Sequence, residues 1–265
     1  NHAAIEPHAV TAARTGDRLV LHDATQAIAP TAAALAKLFD IRREDVRVLS
    51  PFVGGGFGAK GFWDHHVLAV AAARLVRRPV RLVLSREAVF RMVGGRSPTE
   101  QRVALAAEAG GRFTALIHTG YSVMPPYGAC PEQYTLGSRA LYRAQNVRFG
   151  QKHLDLDVVP NTYMRAPGEA VGSFALESAV DELAHQMGMD PIELRLRNDP
   201  EVHPLSGIPF SQRALAEAYR QGAEAFGWAA RSARPRTRRE GEWLLGMGCA
   251  TGSFPYVRMP AGAVR

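Results

Sequence analysis

Three short stretches of this chain hold residue types that can do chemistry. They are Thr25-Gln26, the loop Gly54-Gly55-Gly56-Phe57-Gly58-Ala59-Lys60, and the phrase Met164-Arg165-Ala166-Pro167-Gly168-Glu169. Glycines let backbone N–H groups come close to a ligand, and such donors suit oxo groups or phosphates. With a strand before it and a helix after it, the loop fits the relaxed dinucleotide pattern G-x-G-x-x-G/A. Two features oppose a nicotinamide site: no acid stands about 20 residues on, where the chain reads Arg74 to Val80, and only one βαβ-like unit surrounds the loop. A phosphate-cradling P-loop fails too, because Ala59-Lys60-Gly61 stands where Gly-Lys-Ser/Thr is needed. A plain glycine-lined turn stays open as the alternative.

Arg165 follows Asn161-Thr162 and precedes a Pro-Gly turn and a helix N-terminus, a place where anions dock. By itself Gln26 is a polar residue on a helix-entry loop. Glu169 and Glu177 are candidate acids; the first is placed to complement the dipole of the following helix, the second to lie on its flank. His65 and His66 open an Ala-rich helix, and neighbours on a helix point about 100° apart. That makes them a poor metal pair, so no direct metal ligand is assigned. The roles of Arg139 and Tyr142 stay open.

The elements that must position these residues read as a mixed α+β set. Strands are expected at Asp17 to Asp23, Val46 to Leu49 and Val80 to Leu84, with a hairpin over Gln101 to Tyr121 turning at Gly110-Gly111. Helices are expected from Pro30 to Leu38, Trp63 to Val76, Pro191 to Arg197 and Ser211 to Phe226. A longer one spans about Ala170 to Met187, with Phe174, Leu176, Val180, Leu183 and Met187 at helical spacing. Ala229 to Glu242 has the composition of a linker, and a new strand opens at Trp243. This divides the chain into one domain over 1–228, a linker over 229–242 and the opening of a second domain over 243–265.

With 265 residues, 46% hydrophobic and 22% charged, the chain can build a substantial core. No apolar run approaches the roughly 20 residues of a membrane span. The net charge of +7 includes a cluster at Arg231, Arg234, Arg236, Arg238 and Arg239. No recognition helix or aromatic platform accompanies it, so a solvated linker is favoured over nucleic-acid binding. Two cysteines, Cys130 and Cys249, make neither an iron–sulfur motif nor a disulfide framework.

Taken together the phrases resemble the molybdenum-cofactor subunit of the xanthine dehydrogenase and aldehyde oxidase family, closest to bacterial aldehyde oxidase-type subunits. The family's Gly-Gly-Gly-Phe-Gly-x-Lys loop matches Gly54 to Lys60, its Thr-Gln pair matches Thr25-Gln26, and its arginine phrase matches Met164 to Glu169. The flanks Glu6-Pro7-His8, Asp181 to Ala184 and Asp190 to Arg195 fit in collinear order. The resemblance implies a molybdenum–molybdopterin cofactor, in the cytosine dinucleotide form, held by Thr25, Gln26, Gly56, Phe57, Gly58, Arg165 and Ala166. In that family the phenylalanine amide and the glutamine side chain face the metal's ligands.

The resemblance also implies oxidation of a carbon next to oxygen or nitrogen, with water as oxygen source and electrons leaving to iron–sulfur clusters. The implied partners are an iron–sulfur subunit and an FAD subunit. Purine-hydroxylating members carry an acid after the loop lysine and an aromatic ring two residues after the arginine; here those positions are Gly61 and Pro167. With Tyr163 they define a substrate pocket suited to an aldehyde, or an N-heterocycle, more than a purine. The family's base sits in a Gly-x-Gly-Glu phrase, and Gly246-Met247-Gly248 is followed here by Cys249. The catalytic glutamate is therefore expected outside these residues, and the chain is expected to be a fragment inactive alone. The alternative is a non-catalytic remnant that folds and binds partners. Compartment, cytoplasmic or periplasmic, is left open.

Overall fold

A computed structural model describes residues 1–127 and 130–253. It divides into two compact units, one of residues 1–98, 123–131 and 153–165, the other of 99–122, 132–152 and 166–265. Both mix helices and strands, as expected.

The first unit holds β1 (Ala9–Thr15), β2 (Arg18–Asp23), α1 (Ile28–Phe39), β3 (Val46–Leu49), α2 (Asp64–Val76), β4 (Val80–Val83) and α3 (Arg86–Met92). Its sheet has the order β3-β2-β1-β4. The hairpin β1–β2 is antiparallel and turns at Gly16, while β2 and β3 run parallel through the crossover helix α1. Alternation along the strands turns Val10, Ala12, Leu19 and Leu21 inward against Leu35 of α1 and Ala69 and Val70 of α2. Each large aliphatic buried here contributes about 2 kcal/mol. The same alternation turns one more residue of β2 inward, and it is a carboxylate, Asp23.

The second unit holds β5 (Thr99–Ala107), most of β6 (Phe113–Met124), α4 (Leu136–Ala140), most of β7 (Asn146–Asp155), α5 (Glu169–Met187), α6 (Pro191–Arg197), α7 (Leu215–Phe226), β8 (Arg238–Glu240) and β9 (Trp243–Leu245). The strands form a β5-β6-β7 sheet and a small β8–β9 hairpin. On α5 the buried line is Gly172, Leu176, Val180 and Ala184. Phe174, which the spacing put in the apolar stripe, is instead 78% exposed. The reason is at Gly172, where a Cβ would lie 1.9 Å from the Tyr134 carbonyl oxygen: α5 presents its glycine edge to that backbone, and this rotation turns Phe174 out. Asp190 begins α6, accepting from the Ile192 and Glu193 amides, from Trp228 and from Arg231. Burial alone would raise its carboxyl, but these donors outweigh burial and hold it below the usual range.

Glu177, expected on the helix flank, faces inward. Its carboxylate accepts from the Tyr142 hydroxyl at 2.6 Å, Arg195 Nε at 2.8 Å and the Thr251 amide at 2.7 Å. Arg195 is fully buried and also reaches Asp181 at 2.7 Å. A buried ion pair persists only with such saturation of its remaining donors and acceptors.

His118 on β6 is wholly buried between Gln101 at 3.0 Å and Ser138 at 2.6 Å. Desolvation pushes its imidazole down to about 4 from 6.5. Between those values the unfolded chain binds a proton that the folded chain does not, so this residue's contribution to stability falls as pH drops below 6.5. The loss is on the order of 2 kcal/mol at pH 5. Urea titrations between pH 7 and 5 should therefore show a steeper stability loss for the native chain than for His118→Asn.

Candidate functional site

The glycine loop sits where β2 and β3 end side by side. Ser50 locks the two ends, its hydroxyl donating to the Thr25 carbonyl and accepting from the Thr25 amide, both at 3.0 Å. The far end of the loop is then drawn back onto this pair: Thr25 Oγ1 and the Gln26 amide both donate to the Lys60 carbonyl, at 3.0 and 2.8 Å. The Gln26 side chain crosses the loop and accepts from the Gly58 amide at 2.9 Å. A Cβ on Gly56 would stand 2.2 Å from that carboxamide oxygen, so a larger residue there would displace the Gln26 side chain from its place over the loop. Lys60 is buried beneath the loop, where its ammonium donates to the Glu6 carboxylate at 2.8 Å and to the Val53 carbonyl.

The arginine phrase reaches the same loop. A Cβ on Gly58 would lie 2.4 Å from the Tyr163 carbonyl oxygen, and the Arg165 amide donates to the Phe57 carbonyl at 2.9 Å. Arg96 fastens the phrase from behind, donating to the Arg165 carbonyl at 2.6 Å, and His2 contacts the Tyr163 carbonyl at 2.6 Å. Arg165 itself is exposed and makes no ion pair among the described residues.

Phe57 adopts φ 54°, a left-handed conformation that costs a non-glycine residue on the order of 1 kcal/mol or more, and its ring is 44% exposed. Such strain concentrates at ligand sites. Among the described residues the Phe57 N–H has no hydrogen-bond partner, although its carbonyl is engaged. The loop therefore presents an unused donor next to Gln26 and the exposed Arg165.

Thr25, Gln26, Gly56, Phe57, Gly58, Tyr163 and Arg165 thus all lie in the first unit, and hydrogen bonds or close approaches link them. Gly61 lies just past the loop with open space where a Cβ would be. Ala166, in a left-handed conformation at φ 57°, and Pro167 belong to the second unit, as does Glu169. Glu169 is buried in the first turn of α5, and neither carboxylate oxygen has a partner. Sequence reasoning missed Arg96, an isolated arginine without a signature, and the role of Glu6, whose flank gave its place but not its contact with Lys60.

The two histidines also differ from expectation. Despite their angular offset they converge: both are buried, with ring centroids 3.9 Å apart beside Asp23. A first-turn side chain has no preceding turn to stand against, so both rings fold back toward the strand ends. Burial pushes His65 down to about 3, helped by its histidine neighbours.

Residues 1–199 match the molybdopterin cofactor-binding domain. The chain belongs to that family. It is 42% identical over 254 residues to the aldehyde oxidoreductase molybdenum-binding subunit PaoC of Escherichia coli K12, an alignment covering 95% of this chain and 35% of that one. It is 34% identical to an indole-3-acetaldehyde oxidase of Zea mays, over 73% of this chain and 15% of the other. The fold superimposes on the aldehyde oxidoreductase of Desulfovibrio gigas with TM-score 0.75 at 25% identity, over 84% of this chain and 26% of that one. The chain thus spans about a third of PaoC's length. No described helix is long and apolar enough to cross a membrane.

Two glycines give a test of the loop geometry. Gly58→Ala should cost more than about 2 kcal/mol in urea denaturation, because it combines a left-handed backbone with a backbone clash. Gly61→Ala, with free space, should stay within about 0.5 kcal/mol.

Proposed function

We propose that this chain is the cofactor-gripping part of a molybdenum-dependent oxidoreductase subunit that oxidises aldehydes. The observation that carries this reading is the unpartnered Phe57 N–H, held between the Gln26 side chain and the Arg165 segment. The residues fit the group. An oriented amide donor in a glycine cradle suits an anionic oxygen ligand, and the exposed guanidinium of Arg165 adds a cation suited to bidentate anion binding.

When bound, the molybdenum cofactor supplies the redox chemistry itself, with water as oxygen source and electrons passed to iron–sulfur clusters. The protein's share is positioning. The Phe57 amide would donate to an oxygen of the cofactor, and the Gln26 carboxamide, fixed by Gly58, would present its NH2 group to the same centre. Arg165 would neutralise negative charge. Thr25 anchors the foot of the loop, Gly56 and Gly58 admit the close approach, and Ala166 continues the arginine phrase.

The residues proposed to set substrate preference are Gly61 and Tyr163 in the first unit and Pro167 in the second. The open space at Gly61 and the absence of a ring at Pro167 favour a small aldehyde over a purine. We assign residues 1–228 to a first cofactor-binding domain, 229–242 to a linker and 243–265 to the opening of a second; Phe254 to Arg265 lie outside the described residues. The general base, a glutamate, belongs to the longer protein. An iron–sulfur subunit and an FAD subunit are the partners that would carry electrons away, and the cytosine dinucleotide form is the cofactor form proposed.

The test is purification of the full-length protein, assay of molybdenum and pterin, and comparison of kcat/KM for an aromatic aldehyde and for hypoxanthine with a dye acceptor. Both cofactor components and an aldehyde preference are expected; absence of molybdenum, or a purine preference, would overturn the reading. Gln26→Ala should lower kcat/KM about 10- to 100-fold. Gly61→Glu should shift the preference toward hypoxanthine.

A further inference from the structure

The end of β2 meets the first turn of α2. Asp23 comes from the strand, His65 and His66 from the helix, and all three are buried. One ligand atom from each lies within 4.8 Å of the others. Zinc bonds of about 2.0–2.2 Å place tetrahedral ligand atoms roughly 3.4 Å apart, so the His66–Asp23 contact at 2.8 Å would open slightly while the wider separations close.

The hydrogen bonds fix how Asp23 and His66 meet. His66 Nε2 stands 2.8 Å from Asp23 Oδ2, and the other carboxylate oxygen accepts from the Ala24 amide at 2.8 Å. His66 Nδ1 lies 3.1 Å from the Trp63 carbonyl oxygen. The Trp63 amide donates to the same Nδ1 at 3.1 Å, which places the ring proton on Nε2, toward Asp23; a bound cation would replace that proton and leave Nδ1–H to the Trp63 carbonyl. A metal-bound histidine characteristically donates its other ring N–H to a carbonyl in this way.

His65 and His8 supply the second, independent observation. Each has a buried Nδ1 without a hydrogen-bond partner among the described residues. Buried polar atoms are rarely left so. His8 does meet the Ala59 carbonyl through Nε2 at 3.1 Å, so the buried His65 Nδ1 beside Asp23 is the atom best left for a cation. The His8 ring stands edge-on to His65 at 5.5 Å and so flanks the trio.

We propose that Asp23, His65 and His66 bind a divalent transition metal of the zinc type, with the fourth position filled by water. Two nitrogens and one carboxylate oxygen select zinc over magnesium or calcium, which prefer all-oxygen shells. The ion would be structural: it would join β2 to α2 at the foot of the loop that Thr25 and Gln26 hold. It is separate from the molybdenum cofactor and stands whether or not that cofactor binds.

The experiment measures zinc by elemental analysis in full-length protein purified from zinc-supplemented cultures, and again after refolding with stoichiometric zinc, since the site is buried. Close to one zinc per chain is expected, together with a rise in thermal midpoint over chelator-treated protein. The isosteric Asp23→Asn and the variant His65→Gln should each lower zinc content at least about tenfold while circular dichroism reports a folded chain. Folded native protein holding zinc in fewer than about one chain in ten, after both treatments, would overturn the proposal. So would folded variants that retain zinc equally. A site lost in His65→Gln through misfolding is resolved by Asp23→Asn, which keeps the same shape.

Discussion

The arrangement at the glycine loop depends on a lack of room. Where Cβ atoms of residues 56 and 58 would be, there are instead the Gln26 carboxamide and the Tyr163 carbonyl. Three segments far apart in sequence approach so closely that side chains there are excluded. Hydrogen bonds then fix the approach, from Gly58 to Gln26 and from Arg165 to Phe57. Each bond is worth about 1 kcal/mol net, which is modest; the exclusion of side chains is what specifies the geometry. Between Gly56 and Gly58, Phe57 takes a left-handed conformation, and its amide meets no acceptor among the described residues.

Below the loop, the first unit departs from a purely apolar core. The inward alternation of β2 that buries Leu19 and Leu21 goes on to bury Asp23. Unpaired, a carboxylate there would be costly, and the helix opposite supplies two imidazoles. Lys60, also buried, is met by Glu6 and the Val53 carbonyl. The loop therefore rests on charged and polar groups held out of water. Their geometry matters more than it would at the surface, because the surrounding dielectric is low.

Much of this was legible in the chain itself. β2, β3 and α2 follow from alternation and helical spacing, and the glycine loop was found from its residues alone. Thr25-Gln26 and the arginine phrase needed a family pattern, because a glutamine on a loop and a surface arginine carry no local signal. Tertiary contact hid the rest. β1 and β7 lack long apolar runs. Phe174 has the spacing of a core residue, and only the approach of α5 to the Tyr134 carbonyl turns it out. Glu177 reads as solvated until Arg195, Tyr142 and Thr251 are seen to surround it. The convergence of His65 and His66 with Asp23 depends on a helix start meeting a strand end, which no spacing rule encodes.

The bond between the Arg165 amide and the Phe57 carbonyl has a bearing on how such a chain can change over time. It couples the registers of two phrases that lie far apart in sequence. Slipping either phrase by a single position would carry the donor, the guanidinium and the carboxamide out of alignment at once.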